Sequence, residues 1–330
     1  MPKISVITPT HNGAQYLRQA LDSVLGQSFH DFEHIIVDDG STDETPCIIE
    51  EYARRDARIR TVWREKASGG PTIPKNIALS LASGPYVCFL DQDDYYHPDK
   101  FRILNEGLDA HPHWVAAFHD LQLVEEDGTP HDGTYLSNAD FLARSSGFLR
   151  PTGAEDWHDC GDAFYVFMSL NYAAIHTDSV MLARERLLND PVSFRAQYRG
   201  SDDTDLWLRV GAQGSMGYFN RSLAYYRQHG SNLSKNLLAM TRNAVELHEA
   251  NYLLARHKLS EEERARYRRK IASYQNTVAY LLNKAGEYKE ARALLADAAR
   301  NGEPLQAGRG LLSSFIREYL PGYAGRRIES

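Results

Sequence analysis

Residues 86–98 read YVCFLDQDDYYHP. Residues 86–90 are an apolar run of the kind found in a strand covered on both faces, and the run stops on a cluster of carboxylates, Asp91, Asp93 and Asp94. The same pattern recurs upstream. Residues 3–9 (KISVITP) are rich in β-branched side chains, and Leu17, Leu21, Val24 and Leu25 then fall at helical spacing within 14–27. Residues 32–37 (FEHIIV) form a further apolar run that ends on Asp38-Asp39-Gly40-Ser41-Thr42-Asp43, and 45–54 is helical again. A strand at 59–63 and a helix at 73–82 complete the series. Strand alternating with helix predicts an α/β fold on a doubly wound sheet. Ligands of such sheets bind beyond the carboxyl ends of the strands, which is where these acidic clusters lie.

Farther along the pattern is less regular. Residues 114–124 read as a strand leading into a hairpin at Asp127-Gly128, 206–210 as part of a short amphipathic helix, and 216–226 as another strand. Residues 147–162 read as a long loop. After about residue 240 only helical patterns remain. Ser260 followed by Glu263 is a capping box that opens a long helix, Gly286 breaks it, and 288–299 forms a second helix.

With 42% hydrophobic and 25% charged residues, the 330-residue chain has the composition of a globular protein of about two domains. The first residues already read as strand, so no secretory signal is expected. No apolar run approaches the roughly 20 residues that span a bilayer, and a cytoplasmic location is expected. Cys47, Cys88 and Cys160 form no CxxC-type pair and read as reduced structural thiols. The net charge of −7 is uneven: residues 241–330 carry 16 Lys and Arg against 11 Asp and Glu, and the first 240 residues carry 21 against 33. An acidic body does not suit nucleic-acid binding, which needs a basic face. It suits a site that gathers a cation.

Two carboxylates in Asp91-Gln92-Asp93, placed directly after a buried strand, suit a hard cation such as Mg²⁺ or Mn²⁺ whose shell substrate phosphates and water complete. The plainer alternative is a solvated turn. A carboxylate of Asp38-Asp39 can accept a pyrimidine imide N–H or a ribose hydroxyl, or it can simply cap the next helix, a task that Asp43 or Ser41 also fits. Asp202-Asp203-Thr204-Asp205 is a third cluster, in which mutual repulsion can raise one pKa and make a proton acceptor; a dipole-favoured helix start is the alternative. Neither GxGxxG nor GxxxxGK[ST] follows these strands, which disfavours nicotinamide dehydrogenases and P-loop enzymes.

The segments ISVITPTHNGAQYLRQALDSVLGQSF, IIVDDGSTDET, KNIA, YVCFLDQDDYYHPDKF, SDDTDLWLRV and YRQHGSNLS occur in that order over about residues 3–235. Together they resemble the inverting family 2 of GT-A-fold glycosyltransferases. The resemblance implies a GT-A doubly wound mixed sheet with helices on both faces, spanning 1–240, followed by a helical extension at 241–330. Within it, 1–100 is the nucleotide-binding half and 101–240 the acceptor-binding half. It also implies a nucleotide-diphospho-sugar donor, Mn²⁺ or Mg²⁺, and a glycan or lipid-linked acceptor, as in bacterial cell-surface polysaccharide synthesis. Asp39 matches the carboxylate that reads the nucleobase; this leans to UDP, since Asp39 can accept the uracil N3–H, although guanine also offers donors. Pro9, His11 and Asn12 match the loop that packs on the nucleoside. Lys75 stands where the family usually has Arg, a point charge in place of a planar fork. Asp91 and Asp93 match the Asp-x-Asp pair, Asp93 as metal ligand and Asp91 nearer the ribose. Asp203 matches the catalytic base, although Asp-Asp replaces the family's usual Glu-Asp. Arg227 and His229 match a late element that folds over the diphosphate.

In the extension, Gly286, Tyr288, Ala291, Leu295 and Ala298 fall at the spacing of one tetratricopeptide-like hairpin. Leu311, Leu312, Phe315, Ile316 and Tyr319 form one apolar helical face near Arg309, Arg317, Arg326 and Arg327. Packing on the protein itself is the preferred reading of that face, and peripheral docking on an anionic inner membrane surface is the alternative. Two rival functions remain open. A nucleotidyltransferase making nucleotide sugars would share the sheet and the metal, but the loop PTHNGAQY carries one glycine and no Lys or Arg. A non-enzymatic adaptor would be expected to have lost Asp39, Asp93 or Asp203, and all three are present.

Overall fold

Three apolar runs in the first 63 residues become parallel strands because each is followed by an amphipathic helix that returns the chain to the same edge. These are β1 (Ile4–Thr10), β2 (Phe32–Asp38) and β3 (Ile59–Trp63), with α1 (Leu17–Leu25) and α2 (Thr45–Arg55) between them. After α3 (Thr72–Leu81), β4 (Tyr86–Phe89) pairs with the other side of β1. The computed structural model describes residues 1–172, 174–187, 192–198, 200–230 and 237–319. By its contacts the chain divides into two units, residues 1–196 with 202–232, and residues 197–201 with 233–330.

The first unit is a mixed α/β sheet with flanking helices. Its remaining strands are β5 (Tyr95–Tyr96), β6 (Trp114–Val124), β7 (Pro130–Thr134), β8 (Arg150–Pro151), β9 (Trp157–Asp159), β10 (Val180–Ala183) and β11 (Ser215–Arg227). The order is β3-β2-β1-β4-β10-β6-β11-β9-β8, with β5 on β11 and β7 on β6. β10 runs antiparallel to both β4 and β6, while β11 is parallel to β6. The chain order reverses on either side of β1, so a crevice opens beyond the carboxyl ends of β1 and β4.

The helix α7 (Asp202–Gly211) and the hairpin joining β6 to β7 lie where the local patterns put them. Residues 147–162 are not a plain loop: β8 and β9 pair there and extend the sheet from β11. They are two and three residues long, too short to show a period. The short, wholly buried VMLA of β10 and the helices α4 (Lys100–Ala110), α5 (Phe141–Ser145) and α6 (Phe164–Leu170) have no counterpart in the sequence reading.

Trp114, on β6, packs against Trp157 and has Gly217 of β11 beneath it. A Cβ at Gly217 would lie 2.3 Å from the indole carbons. Gly217→Ala should therefore cost about 1–3 kcal/mol of stability. The urea midpoint should fall at unchanged slope; an unchanged midpoint would mean the indole shifts freely.

The second unit carries α8 (Leu237–Ala255), α9 (Glu261–Ala285), α10 (Tyr288–Arg300) and α11 (Pro304–Tyr319). The capping box is formed: Ser260 N–H donates to Glu263 Oε2 at 2.8 Å and Glu263 N–H to Ser260 Oγ at 3.2 Å. Gly286 ends α9 at φ +85°, the left-handed cap that glycine takes without strain. Ala291, Leu295 and Ala298 are buried against Val278, Ala279 and Leu282. Along α11, Ala307 is buried and Leu311 packs on this cluster, whereas Leu312 and Phe315 are exposed. The expected single apolar face is thus divided between two directions. The side chains of Ile316 and Tyr319, and Arg326 and Arg327 altogether, lie outside the described residues. Among the described residues no helix is long and apolar enough to cross a membrane.

Candidate active site

The loops that follow β1, β2 and β4 hold one another by hydrogen bonds. His11 N–H donates to Gln92 Oε1 at 2.8 Å, and Gln92 Nε2 donates to His11 O at 3.1 Å. The His11 ring reaches Asp39 O at 2.9 Å through Nδ1. Asn12, in the left-handed region at φ +49°, accepts Thr42 N–H on its side-chain oxygen at 2.8 Å while its own N–H meets Ser41 Oγ at 2.9 Å. Pro9 lies buried inside β1 opposite Val37. Asp38 holds the turn through Ser41 N–H at 3.0 Å and Thr10 Oγ1 at 3.1 Å.

Asp39 is buried and heavily bonded. Its Oδ1 pairs with Arg64, and its Oδ2 accepts both Ser68 N–H at 2.8 Å and Ser68 Oγ at 2.7 Å. Lys75, buried on α3, reaches Asp91 Oδ1 at 2.9 Å. Burial opposes its charge, but the carboxylates of Asp91, Asp202 and Asp178 hold the ammonium above its ordinary pKa. Burial pushes Asp91 upward, and Lys75 pulls against it.

Asp93 faces His229 across 136 residues of sequence, with His229 Nε2 2.8 Å from Asp93 Oδ2. Arg227 is buried behind them. Its N–H donates to Asp94 Oδ1 at 2.8 Å, Nε to Asp93 O at 3.0 Å, and its terminal nitrogens to Glu126 O at 2.6 Å and Gln19 Oε1 at 2.5 Å. The guanidinium also stacks over Tyr16 and Tyr95. In this arrangement Arg227 braces the acidic turn against α1 and the β6–β7 hairpin.

Beneath the turn lies a group that the local sequence does not signal. The ligand atoms of Asp94, His176 and Asp178 lie within 4.8 Å of one another, a candidate three-residue cation cluster. Asp178 Oδ1 accepts Asp91 N–H at 2.7 Å, and His176 Nδ1 lies 3.3 Å from Asp178 Oδ2. Burial and the Asp178 charge push Asp94 well above the carboxylate range. Burial works against the Asp178 charge, yet His176 and Asp94 hold it low. Asp178 Oδ2 is buried without a hydrogen-bond partner, and through Oδ1 the cluster forms the floor of the acidic turn.

Asp203 opens α7 with Asp202 and Asp205. Burial and the adjacent Asp202 charge raise its pKa, while His176 and Lys75 pull it down. Asp202 is tied by Thr72 Oγ1 at 2.8 Å, and Asp205 by Arg209 Nε at 2.9 Å. Those contacts hold the two carboxylates in place, whereas Asp203 accepts Thr204 N–H at 2.6 Å within its own helix turn and feels the charges of His176 and Lys75. Both of those groups also feel Asp91.

The family model for glycosyl transferase family 2 matches residues 5–159. The glycosyltransferase TuaG of Bacillus subtilis, assigned to teichuronic acid biosynthesis, is 32% identical over 236 residues, 71% of this chain and 82% of that protein. The chain belongs to glycosyltransferase family 2. This family 2 enzyme is also 40% identical over 113 residues to the poly(ribitol-phosphate) β-N-acetylglucosaminyltransferase TarS of Staphylococcus aureus, 34% of this chain and 20% of TarS. A crystal structure of the first 349 residues of S. aureus TarS shares its fold, with a TM-score of 0.60 at 20% identity over 98% of this chain and 86% of that one. The mannosyltransferase PcManGT from Pyrobaculum calidifontis, in complex with GDP-Man and Mn²⁺, gives 0.57 at 18% identity over 98% and 83%.

The fold brings Arg64, Ser68, Gln92, Asp94, His176 and Asp178 to the candidate site, and none of them was assigned a role from the sequence. Asp94 alone carried a signal, its place next to Asp91-Gln92-Asp93. His176 and Asp178 sit in a segment with no period to mark them.

Proposed function

We propose that this glycosyltransferase is inverting and metal-dependent, and that it moves a sugar from a nucleoside-diphospho-sugar, with UDP favoured, to a hydroxyl of a glycan or lipid-linked acceptor. The observation that carries this reading is the Asp93–His229 pair 2.8 Å apart in the same crevice as Asp91 and Asp39. A carboxylate and an imidazole 2.8 Å apart fit Mn²⁺ well and Mg²⁺ acceptably. Asp93 and His229 would hold the ion, with Asp91 as the second carboxylate of the Asp-x-Asp pair, nearer the ribose. When bound it would offset charge on the diphosphate oxygens.

In this reading Asp39 receives the nucleobase, His11 and Asn12 shape the nucleoside loop around Pro9, and Lys75 orients Asp91 toward the ribose. Arg227 fixes the turn from behind, and His229 lies on the diphosphate side. Asp203 takes the acceptor proton as the acceptor oxygen bonds the anomeric carbon. The bond from that carbon to the phosphate oxygen breaks on the opposite face, and its electron pair leaves with the nucleoside diphosphate. The GT-A division into a nucleotide half at 1–100 and an acceptor half at 101–240, with a helical extension at 241–330, follows from the same reading. So do a cytoplasmic location and a place in cell-surface polysaccharide synthesis, the latter in keeping with the teichuronic acid and poly(ribitol-phosphate) in the names of TuaG and TarS. A nucleotidyltransferase is disfavoured, since the loop after β1 is held by side chains of the loops after β2 and β4 and carries no Lys or Arg. The test is calorimetry with UDP-, GDP- and dTDP-sugars, with and without Mn²⁺; binding that ignores Mn²⁺ would remove the metal from the reading.

The exposed Leu312 and Phe315 of α11 keep peripheral membrane docking as a second proposal for the tail. Deleting residues 305–330 should then reduce co-sedimentation with anionic liposomes at least several-fold while donor hydrolysis in detergent-free buffer stays unchanged. Equal sedimentation of both forms would return the tail to a packing role.

A further inference from the structure

Asp39 enters this structure with most of its acceptor capacity already used. An ionised carboxylate offers about four lone-pair sites. Ser68 takes two of them on Oδ2, through its N–H at 2.8 Å and its hydroxyl at 2.7 Å. The single hydroxyl proton has a second neighbour, Gly70 O at 3.0 Å, but the shorter contact to a charged acceptor is the stronger one. Arg64 takes one site on Oδ1. One site remains, on Oδ1, beside a guanidinium whose side chain is 25% exposed and which still has N–H donors to offer.

The loop that delivers these two residues is held rigidly. Arg64 N–H donates to Asp38 O at 2.9 Å, so the chain leaves β3 alongside the end of β2. Gly40, at φ +70°, lets residues 66 and 67 pass directly over it. A Cβ there would lie 2.9 Å from Ala67 N and Lys66 C. Glycine at that point allows the 64–68 segment to close on Asp39.

We infer that Arg64 and Ser68 are specificity-determining residues, which restrict Asp39 to a single open acceptor position and so select the uracil edge over the guanine edge. This rests on the proposed reading that the nucleobase of the donor docks at Asp39. The imide edge of uracil presents one N–H flanked by two carbonyl oxygens. The N–H matches the remaining site on Oδ1, and a flanking carbonyl matches the Arg64 donors. Guanine presents two adjacent donors, N1–H and the N2 amino group, a pattern that an unencumbered carboxylate accepts with both oxygens. Here the second donor meets an oxygen that Ser68 has filled, and it is buried without a partner. Leaving a buried donor unpaired costs affinity.

The experiment is calorimetry on the full chain in Mn²⁺ with three probes: UDP, GDP and N3-methyl-UDP. Wild type should bind UDP on the order of 10- to 100-fold tighter than GDP, and N3-methylation should erase that advantage. Ser68→Ala frees a lone pair on Oδ2, and the UDP-to-GDP ratio should shrink by about tenfold, chiefly by a gain for GDP. Arg64→Lys keeps the charge but loses the fork, and should weaken UDP by several-fold with little change for GDP. Thermal melts of each variant separate loss of fold from loss of binding; Ser68→Ala, which removes one hydroxyl, carries the test if Arg64→Lys melts early. GDP bound as tightly as UDP by wild type, or a ratio unmoved in Ser68→Ala, overturns the inference. Asp39→Asn separates the two levels. If it binds UDP like wild type, the base is not read at Asp39 and the underlying reading fails. If it loses UDP while Ser68→Ala leaves the ratio unchanged, only the selectivity argument fails.

Discussion

Asp203→Asn should lower kcat by roughly 10²–10⁴, the usual worth of general base catalysis, while donor binding stays near wild type. Asparagine is nearly isosteric and can keep the contact to Thr204 N–H, which lies 2.6 Å from Asp203 Oδ1, but it cannot accept a proton at neutral pH. The nucleobase and diphosphate contacts proposed for Asp39, Asp93 and His229 do not pass through it. The loss should fall equally on kcat and kcat/KM, because the interaction exists only in the transition state. The pH profile gives an independent readout. Burial and the Asp202 charge raise the Asp203 pKa, so the working carboxylate is lost as pH falls through a value higher than that of an ordinary Asp. Wild-type kcat/KM should therefore drop on the acid side earlier than a solvated Asp would allow, and Asp203→Asn should lack that limb. A mutant that retains more than about a tenth of wild-type kcat would pass the role to Asp202 or Asp205. Thr72 and Arg209 already engage those two carboxylates.

Asp93→Asn should reduce Mn²⁺-dependent binding of UDP by at least roughly 10²-fold, since one anionic donor of the proposed ion site becomes neutral. Binding measured in chelator should be the same for mutant and wild type. The fold should persist, because the contact that Asp93 gives to the scaffold is its backbone oxygen, which accepts from Arg227 Nε at 3.0 Å. His229→Ala removes the opposing nitrogen and should reproduce the phenotype. Calorimetry with and without Mn²⁺ decides it. If Asp93→Asn binds the ion as tightly as wild type while Asp178→Asn does not, the ion sits in the Asp94, His176 and Asp178 cluster below the turn.

Much of the nucleotide side was legible along the chain. β1, β2 and β4 announce themselves as apolar runs, and the carboxylates at the ends of β2 and β4 follow within one or two residues, so a local pattern carries both the element and its cargo. The capping box at Ser260 and the break at Gly286 are equally local, since each depends on neighbours within three residues. The second half of the sheet was harder to read. β10 is four residues of VMLA, a length at which strand and buried helix cannot be told apart by period, and it is recognisable as a strand through β4 and β6 on either side.

The acidic positions, Asp39, Asp91, Asp93 and Asp203, and the family to which they belong were therefore determined by the sequence itself, because strand ends and helix starts are short-range features. What each carboxylate does was decided by the tertiary structure. Arg64 and Ser68 reach Asp39 because β3 lies beside β2 in the sheet. Asp178 reaches Asp91 because β10 follows β4 in the sheet order, and His229 reaches Asp93 because β11 delivers it to the acidic turn. The charge and free lone pairs of a carboxylate depend on neighbours within a few ångströms in space, and strand order, which no local pattern encodes, chooses those neighbours.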